Sequence, residues 1–320
     1  MKKILSVYVL IFVCLTSACP AQKDSSLTVK TVNAANSQPA KTVEKIDVEL
    51  QKQIEQIAFA AKGRVGVKAV LLETGETVLL NQGEHFPMQS VYKLPIAMAV
   101  LRQVDAGKIT PDQKVRIEKS DFVRIGMRSP IRDENPNGSE LSVKELLQFA
   151  VSESDGTASD VLLRLVGGSK AAMNYLSEIK VGEIIIANTE KEFGQDQTLQ
   201  YKNWASPAGA IDLLRALHER RGGFSEQSRA LLLKFMTESP TGPKRLKGLL
   251  PKDAAVAHKT GTSGTINGVT AATNDIGIIT LPNGKHFVIA VFVSDSTADE
   301  KTREEVIAKV TKAIWDKWSN

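Results

Sequence analysis

Ser90 and Lys93 stand three residues apart where an apolar run begins, in Phe86-Pro87-Met88-Gln89-Ser90-Val91-Tyr92-Lys93-Leu94-Pro95-Ile96-Ala97-Met98-Ala99-Val100-Leu101. On a helix this spacing puts both side chains on one face, within reach of each other. A buried lysine sheds its charge readily and can then accept a proton, which would turn the serine into a nucleophile. A serine at a helix N-terminus also lies beside free backbone N–H groups that stabilise developing negative charge. The chemistry implied is acyl transfer. A lone S-x-x-K pair is abundant by chance, so its weight depends on the rest of the chain.

Three further stretches bear on it. Ser152-Glu153-Ser154-Asp155-Gly156 ends an apolar helix, and its Ser154 could pass a proton to a leaving group. His258-Lys259-Thr260-Gly261-Thr262 ends an apolar run that reads as an edge strand. There Lys259 offers positive charge, Thr260 a hydroxyl, and Gly261 room for a ligand to approach the backbone. Glu190 follows the apolar Ile184-Ile185-Ile186 at the start of a loop, as a candidate general base. His85, His218, His258 and His286 show no metal-binding spacing, and His258 reads as a satisfied structural histidine rather than a triad base. Cys14 and Cys19 both lie near the N-terminus, so the body of the chain offers no disulfide. No metal and no cofactor is expected.

These residues need a frame. Apolar positions from Val43 to Ala61 recur at a helical period, and Gly63 marks the end. Val65–Leu72 and Thr77–Leu80 read as strands joined by Glu73-Thr74-Gly75-Glu76. From Ser90 to about Pro240 the signals are mainly helical: Val91–Val104, Val143–Val151, Asp160–Val166, Lys170–Ile179, Ser206–Glu219 and Ser225–Thr237. Ala254–Gly261, Gly268–Leu281 and His286–Asp295 then read as strands, with the hairpin signal Asn283-Gly284 between the last two. Ala298–Trp318 closes the chain as an amphipathic helix. The expected fold is α/β (α+β): one antiparallel five-stranded sheet built from both chain ends, flanked by the terminal helices, with an all-helical domain inserted. The sheet domain would take residues 43–85 and 241–320, and the helical domain, with an Ω-like loop, 86–240.

The N-terminus reads as an export signal. Lys2 and Lys3 precede the apolar run Ile4–Leu15, which is short for a membrane span. Thr16-Ser17-Ala18-Cys19 resembles a lipoprotein box that would leave a lipid anchor on Cys19; cleavage near Ala18 or Ala21 is the other reading. Residues 1–21 are therefore assigned to the signal and the polar, small-residue-rich stretch 22–42 to a tether. With 320 residues, 42% hydrophobic and 24% charged, the composition is that of a globular protein. The net charge of +5 is dispersed, with no aromatic-studded basic run, which argues against nucleic acid as a partner.

Ser-x-x-Lys, Ser-Asp-Gly and Lys-Thr-Gly, in that order at wide spacing, match the signature of penicillin-recognising serine enzymes. From about Val43 onward the chain resembles a class A (serine) β-lactamase, with a β-lactamase/transpeptidase-like fold. Glu190 lies 36 residues after Ser154, as that family's Ω-loop glutamate requires. Pro87–Lys93, Gln200–Trp204, Ser129–Asp133 and Val151–Asp155 are similar to an extended-spectrum cephalosporinase branch of Bacteroidetes-type bacteria. The resemblance implies hydrolysis of the lactam amide of penicillins and cephalosporins by a periplasmic monomer, with β-lactam antibiotics as its partners. Ser90 would be acylated, Lys93 would orient and deprotonate it, and Ser154 would protonate the departing nitrogen. Glu190 would activate the hydrolytic water. Lys259 and Thr260 would hold the substrate carboxylate, and the N–H groups of Ser90 and Thr262 would form an oxyanion hole. Arg245, in Thr241-Gly242-Pro243-Lys244-Arg245-Leu246, matches an alternative carboxylate-binding arginine; its other reading is a surface residue. Two departures stand out: Gly156 replaces the usual motif asparagine, and Gly194 replaces a water-holding asparagine four residues after Glu190. A DD-peptidase shares the three motifs, and a β-lactam sensor would add a membrane span to a cytoplasmic effector.

Overall fold

The computed structural model describes residues 45–319. The expected signal, tether and Cys19 anchor lie outside these residues.

The first helix begins later than its periodicity suggests, because Asp47 stops it. Its carboxylate accepts the Leu50 N–H at 3.0 Å with the backbone still extended, so α1 spans Val48–Ala58. The residues before it, β1 (Lys45–Ile46), pair in parallel with Glu76–Thr77. Strands β2 (Arg64–Leu71) and β3 (Glu76–Leu80) follow as an antiparallel pair. The short β4 (Phe86–Pro87) leads into a 3-10 turn, Gln89–Tyr92, and helix α2 (Lys93–Asp105). Ser90 therefore sits in that turn, ahead of the α-helix rather than on it. Pro95 falls in the first turn of α2, where its missing N–H costs no helical hydrogen bond.

Every residue from Lys93 to Leu101 is buried, which places α2 at the centre of the helical block. Around it lie the hairpin β5 (Lys114–Ile117) and β6 (Ser139–Ser142), with α3 (Pro130–Glu134) between them. Next come α4 (Val143–Val151), α5 (Gly156–Val166) and α6 (Gly168–Glu178). A Ser142–Glu145 capping box starts α4, and the Asp155 side chain caps α5. Then β7 (Ile184–Ile185), α7 (Glu190–Gln195) and β8 (Trp204–Ala205) form the segment around Glu190. Strand β8 pairs with both β4 and β7, so the approach to Ser90 is stitched to both ends of that segment. Helices α8 (Pro207–His218) and α9 (Glu226–Thr237) complete the block.

The chain then returns to the sheet with β9 (Ala255–Thr262). The expected strand Gly268–Leu281 divides. Asn267 and Gly268, both at positive φ, turn β10 (Thr265–Ile266) back onto β11 (Val269–Thr270), and pairing with β9 resumes only at β12 (Thr273–Thr280). A turn through Asn283-Gly284 leads to β13 (His286–Ser294), and α10 (Glu300–Trp318) closes the chain. The sheet order is β1-β3-β2-β13-β12-β9. Five antiparallel strands thus carry a sixth, two-residue parallel strand at one edge, and β9 forms the other edge.

Strand alternation divides the core between the two faces. Val67, Ala69, Ile289 and Val291 pack with Leu50 and Ile54 of α1 and with Val306, Val310 and Ile314 of α10. On the opposite face Val70, Val288, Ala290 and Phe292 join a second cluster that runs through α8 and α2 into the helical block. The site lies where β9 meets that block.

Candidate active site

The turn bearing Ser90 is held against β9 and β12. Asn274 donates from Nδ2 to the carbonyls of Pro87 and Met88 at 2.8 and 3.2 Å. A Cβ on Gly261 would lie 2.2 Å from the Met88 carbonyl oxygen, so only glycine lets β9 approach this closely. Gln89 is held at φ +48, a strained conformation for a non-glycine residue just before the serine. Ser90 is half-buried and lines a cleft of about 390 Å³ with Lys93, Ser154, Glu190 and Thr262.

Ser154 joins the two lysines. Its carbonyl accepts from Lys93 Nζ at 2.7 Å and its hydroxyl from Lys259 Nζ at 2.9 Å. It reaches both from a left-handed backbone, φ +59, between α4 and the Asp155 cap of α5. Lys93 also pairs with Glu190 Oε1 at 2.9 Å, and both side chains are almost wholly buried. Lys259 is fully buried on β9, and among the described residues no carboxylate is in contact with it. Burial first, and then the charge of Lys93, pull its pKa well below the usual lysine range. Thr260 is buried beside it, hydrogen-bonded through its hydroxyl to Thr241 at 2.7 Å.

Glu190 is the first residue of α7, where Thr189 and Glu192 form a capping box. Asp160, one turn into α5, accepts the N–H groups of Glu190 and Lys191 at 2.8 and 2.9 Å. Burial and the adjacent Glu190 carboxylate push Asp160 up to about 7, against the lowering effect of those two hydrogen bonds. The rest of the segment hangs on Asn203. Its side chain accepts the N–H groups of Ala187 and Asn188 at 2.7 and 2.8 Å and donates to the Asn188 carbonyl at 2.8 Å. Across the cleft floor Gln89 donates to Gln200 at 2.5 Å.

The structure brings Ser90, Lys93, Ser154, Glu190, Lys259, Thr260 and Thr262 together. Arg245 joins them from behind and is no surface residue. It is buried, with Nε on Glu304 at 3.2 Å, Nη1 on the carbonyls of Gly261 and Asn274, and Nη2 on the Thr262 hydroxyl at 2.9 Å. It does not line the cleft; Thr262 does, and is its link to it. His258 is only half satisfied. Its Nδ1 pairs with Asp275 at 2.8 Å, whereas its buried Nε2 has no partner. Gly156 leaves no side chain at the start of α5; a Cβ there would lie 3.4 Å from Glu190 Cγ.

Sequence reasoning passed over Asp160, Asn203 and Asn274. All three act on backbone groups elsewhere in the chain; Asp160 and Asn274 carry no local motif, and Asn203 falls within Gln200–Trp204, a stretch noted only for its resemblance and given no role. The one available signal was a polar residue at an otherwise apolar, buried position.

The family model described as "Beta-lactamase enzyme family" matches residues 49–318. The extended-spectrum β-lactamase PER-1 of Pseudomonas aeruginosa is 42% identical over 266 residues, which cover 83% of this chain and 86% of that protein. The crystal structure of a β-lactamase from Chitinophaga pinensis is 45% identical with a TM-score of 0.82, covering 84% of this chain and 99% of that one. A class A representative from Bacteroides cellulosilyticus is 32% identical, with a TM-score of 0.79, over 85% and 97% of the two chains. The serine, paired lysines and buried glutamate of this cleft thus stand in a chain that belongs to the β-lactamase enzyme family, with the class A serine enzymes.

Proposed function

We propose that the cleft hydrolyses β-lactams through an acyl-enzyme on Ser90. Ser90 Oγ attacks the lactam carbonyl carbon, and its proton passes to Lys93, or to Glu190 through a water. The lactam C–N bond breaks, and the nitrogen takes a proton from Ser154, which the hydrogen bond from Lys259 orients. Ser154 is reprotonated by the proton that Ser90 gave up, so the net transfer runs from Ser90 to the lactam nitrogen. A water deprotonated by Glu190 then attacks the ester carbonyl and releases the ring-opened acid and free Ser90. The N–H groups of Ser90 and Thr262 stabilise the oxyanion in both steps, each donor contributing about 3 kcal/mol. Thr260 and Thr262 receive the carboxylate of the nucleus. Lys259 supplies positive potential through Ser154, and Arg245 holds the Thr262 hydroxyl in place.

One observation carries the hydrolase reading over a DD-peptidase: a buried carboxylate, Glu190, faces the cleft 2.9 Å from Lys93. An acylating enzyme without such a base stays blocked. Glu190→Ala is therefore expected to accumulate a single substrate-sized adduct, seen by intact mass. Undiminished nitrocefin turnover in that variant would remove Glu190 from this role, and wild-type burst kinetics without turnover would favour the peptidase.

The resemblance of Pro87–Lys93 and Gln200–Trp204 to the extended-spectrum branch favours cephalosporins among the substrates. The N-terminal pattern supports export to the periplasm, with or without a lipid on Cys19. N-terminal mass mapping of the exported chain, with and without a lipoprotein signal-peptidase inhibitor, separates the two forms.

A further inference from the structure

The wall of the cleft beside α7 carries a cation that the mechanism does not use. Arg124 lines it together with Met127, Arg128 and Phe193. The turn that bears Arg124 is fixed: Arg132 donates from Nη1 to the carbonyls of Val123 and Arg124 at 3.0 and 2.7 Å, and from Nη2 to that of Met127 at 3.0 Å. The Arg124 stem lies over Gly194. A Cβ there would come within 3.2 Å of Arg124 Cγ and Cδ and of Met127 Sδ. The missing side chain at 194 is thus the slot in which the stem of Arg124 rests.

The other cleft charges are compensated. Lys93 pairs with Glu190, and Arg128 pairs with Glu153 at 2.9 Å. Among the described residues the Arg124 guanidinium has no hydrogen-bond or ion-pair partner. Its neighbours across the cleft, Gln197 and Gln200, are neutral.

We propose that Arg124 is a specificity-determining residue that receives an anionic group on the acyl side chain of the substrate. This rests on the hydrolase reading above. With the nucleus carboxylate at Thr260 and Thr262, the acylamino group leaves the opposite side of the lactam, toward α7 and the Val123–Arg128 turn. A carboxylate carried there would meet a planar two-donor fork and form charge-assisted hydrogen bonds. An uncharged side chain would gain only packing on the arginine stem.

Benzylpenicillin and carbenicillin share a nucleus and differ by one side-chain carboxylate. The ratio of their kcat/KM values, carbenicillin over benzylpenicillin, is expected to fall about tenfold in Arg124→Gln and to recover in Arg124→Lys. In the wild type the same ratio should fall roughly threefold as salt rises from about 50 to about 500 mM, a reading that needs no substitution. A ratio that moves less than twofold in Arg124→Gln, or a flat wild-type salt series, overturns the assignment. Turnover of neither penicillin, nor of nitrocefin, by the wild type overturns the hydrolase reading instead.

Discussion

The two walls of the cleft are built on opposite terms. On the side of β9 and the Ser90 turn, Lys93, Lys259, Ser154 and Thr260 are buried and bonded to one another, and the strand fits through a glycine that touches backbone. On the side of α7 and the Val123–Arg128 turn, Gly194 leaves room for the Arg124 stem, and Arg124 and Arg128 are exposed to solvent. The first wall holds charge where water is excluded, so its electrostatics act at full strength on a reacting carbonyl. The second wall works through screened contacts and reads the substrate's periphery. Rate should therefore be brittle on one wall, and selectivity adjustable on the other.

Substitutions can break that contrast, and their effects should descend in order. Ser90→Ala is expected to lower kcat by about 10⁴ or more, because the acyl-enzyme on Ser90 can no longer form; residual turnover near wild type would place the nucleophile elsewhere. Lys259→Ala should cost about 10²–10³ in kcat/KM, since it removes the cation that holds the Ser154 hydroxyl. Steady-state kinetics with nitrocefin measures both.

Asn203→Ala should lower stability by about 3 kcal/mol and expose residues 186–203 to protease before global unfolding. A melt unchanged within about 0.5 kcal/mol would mean that the segment is held by other contacts. Asp160 has a pH signature. Its folded pKa of about 7 lies above its ordinary value of 3.8, so the folded state binds the extra proton between these values. Stability should then fall as pH rises from about 4 to about 7, by an amount on the order of a few kcal/mol. Asp160→Asn should flatten that slope in chemical denaturation at several pH values. At the foot of the scale, Lys312→Ala breaks an exposed i,i+4 pair on α10 and should change stability by less than about 0.5 kcal/mol.

The dry wall was legible in the sequence because its chemistry is written in short words. S-x-x-K, S-D-G and K-T-G each put a reactive group at an element boundary, and apolar runs beside them give the boundaries away. The braces were not legible. Asp160, Asn203 and Asn274 bind backbone amides or carbonyls 15 to 187 residues away, and a backbone group looks the same at every position. Arg245 was legible as a candidate carboxylate-binding arginine but its burial was not, because the partner that lets an arginine be buried, Glu304, lies on another element. Two-residue strands such as β1, β7 and β8 are no longer than a single period of strand alternation, so only their partners define them.

The sheet also sets a timetable. Strand β2 near one end of the chain pairs with β13 near the other, Val67 against Val291, and Lys259 meets Ser154 from 105 residues away. Contacts of such long range form late in folding. A chain still being synthesised, or one cut before β9, carries Ser90 and Lys93 but lacks the strand that completes their cleft. Covalent capture of a fluorescent β-lactam by Ser90 would therefore report on completed folding, molecule by molecule, and could time the maturation of the chain.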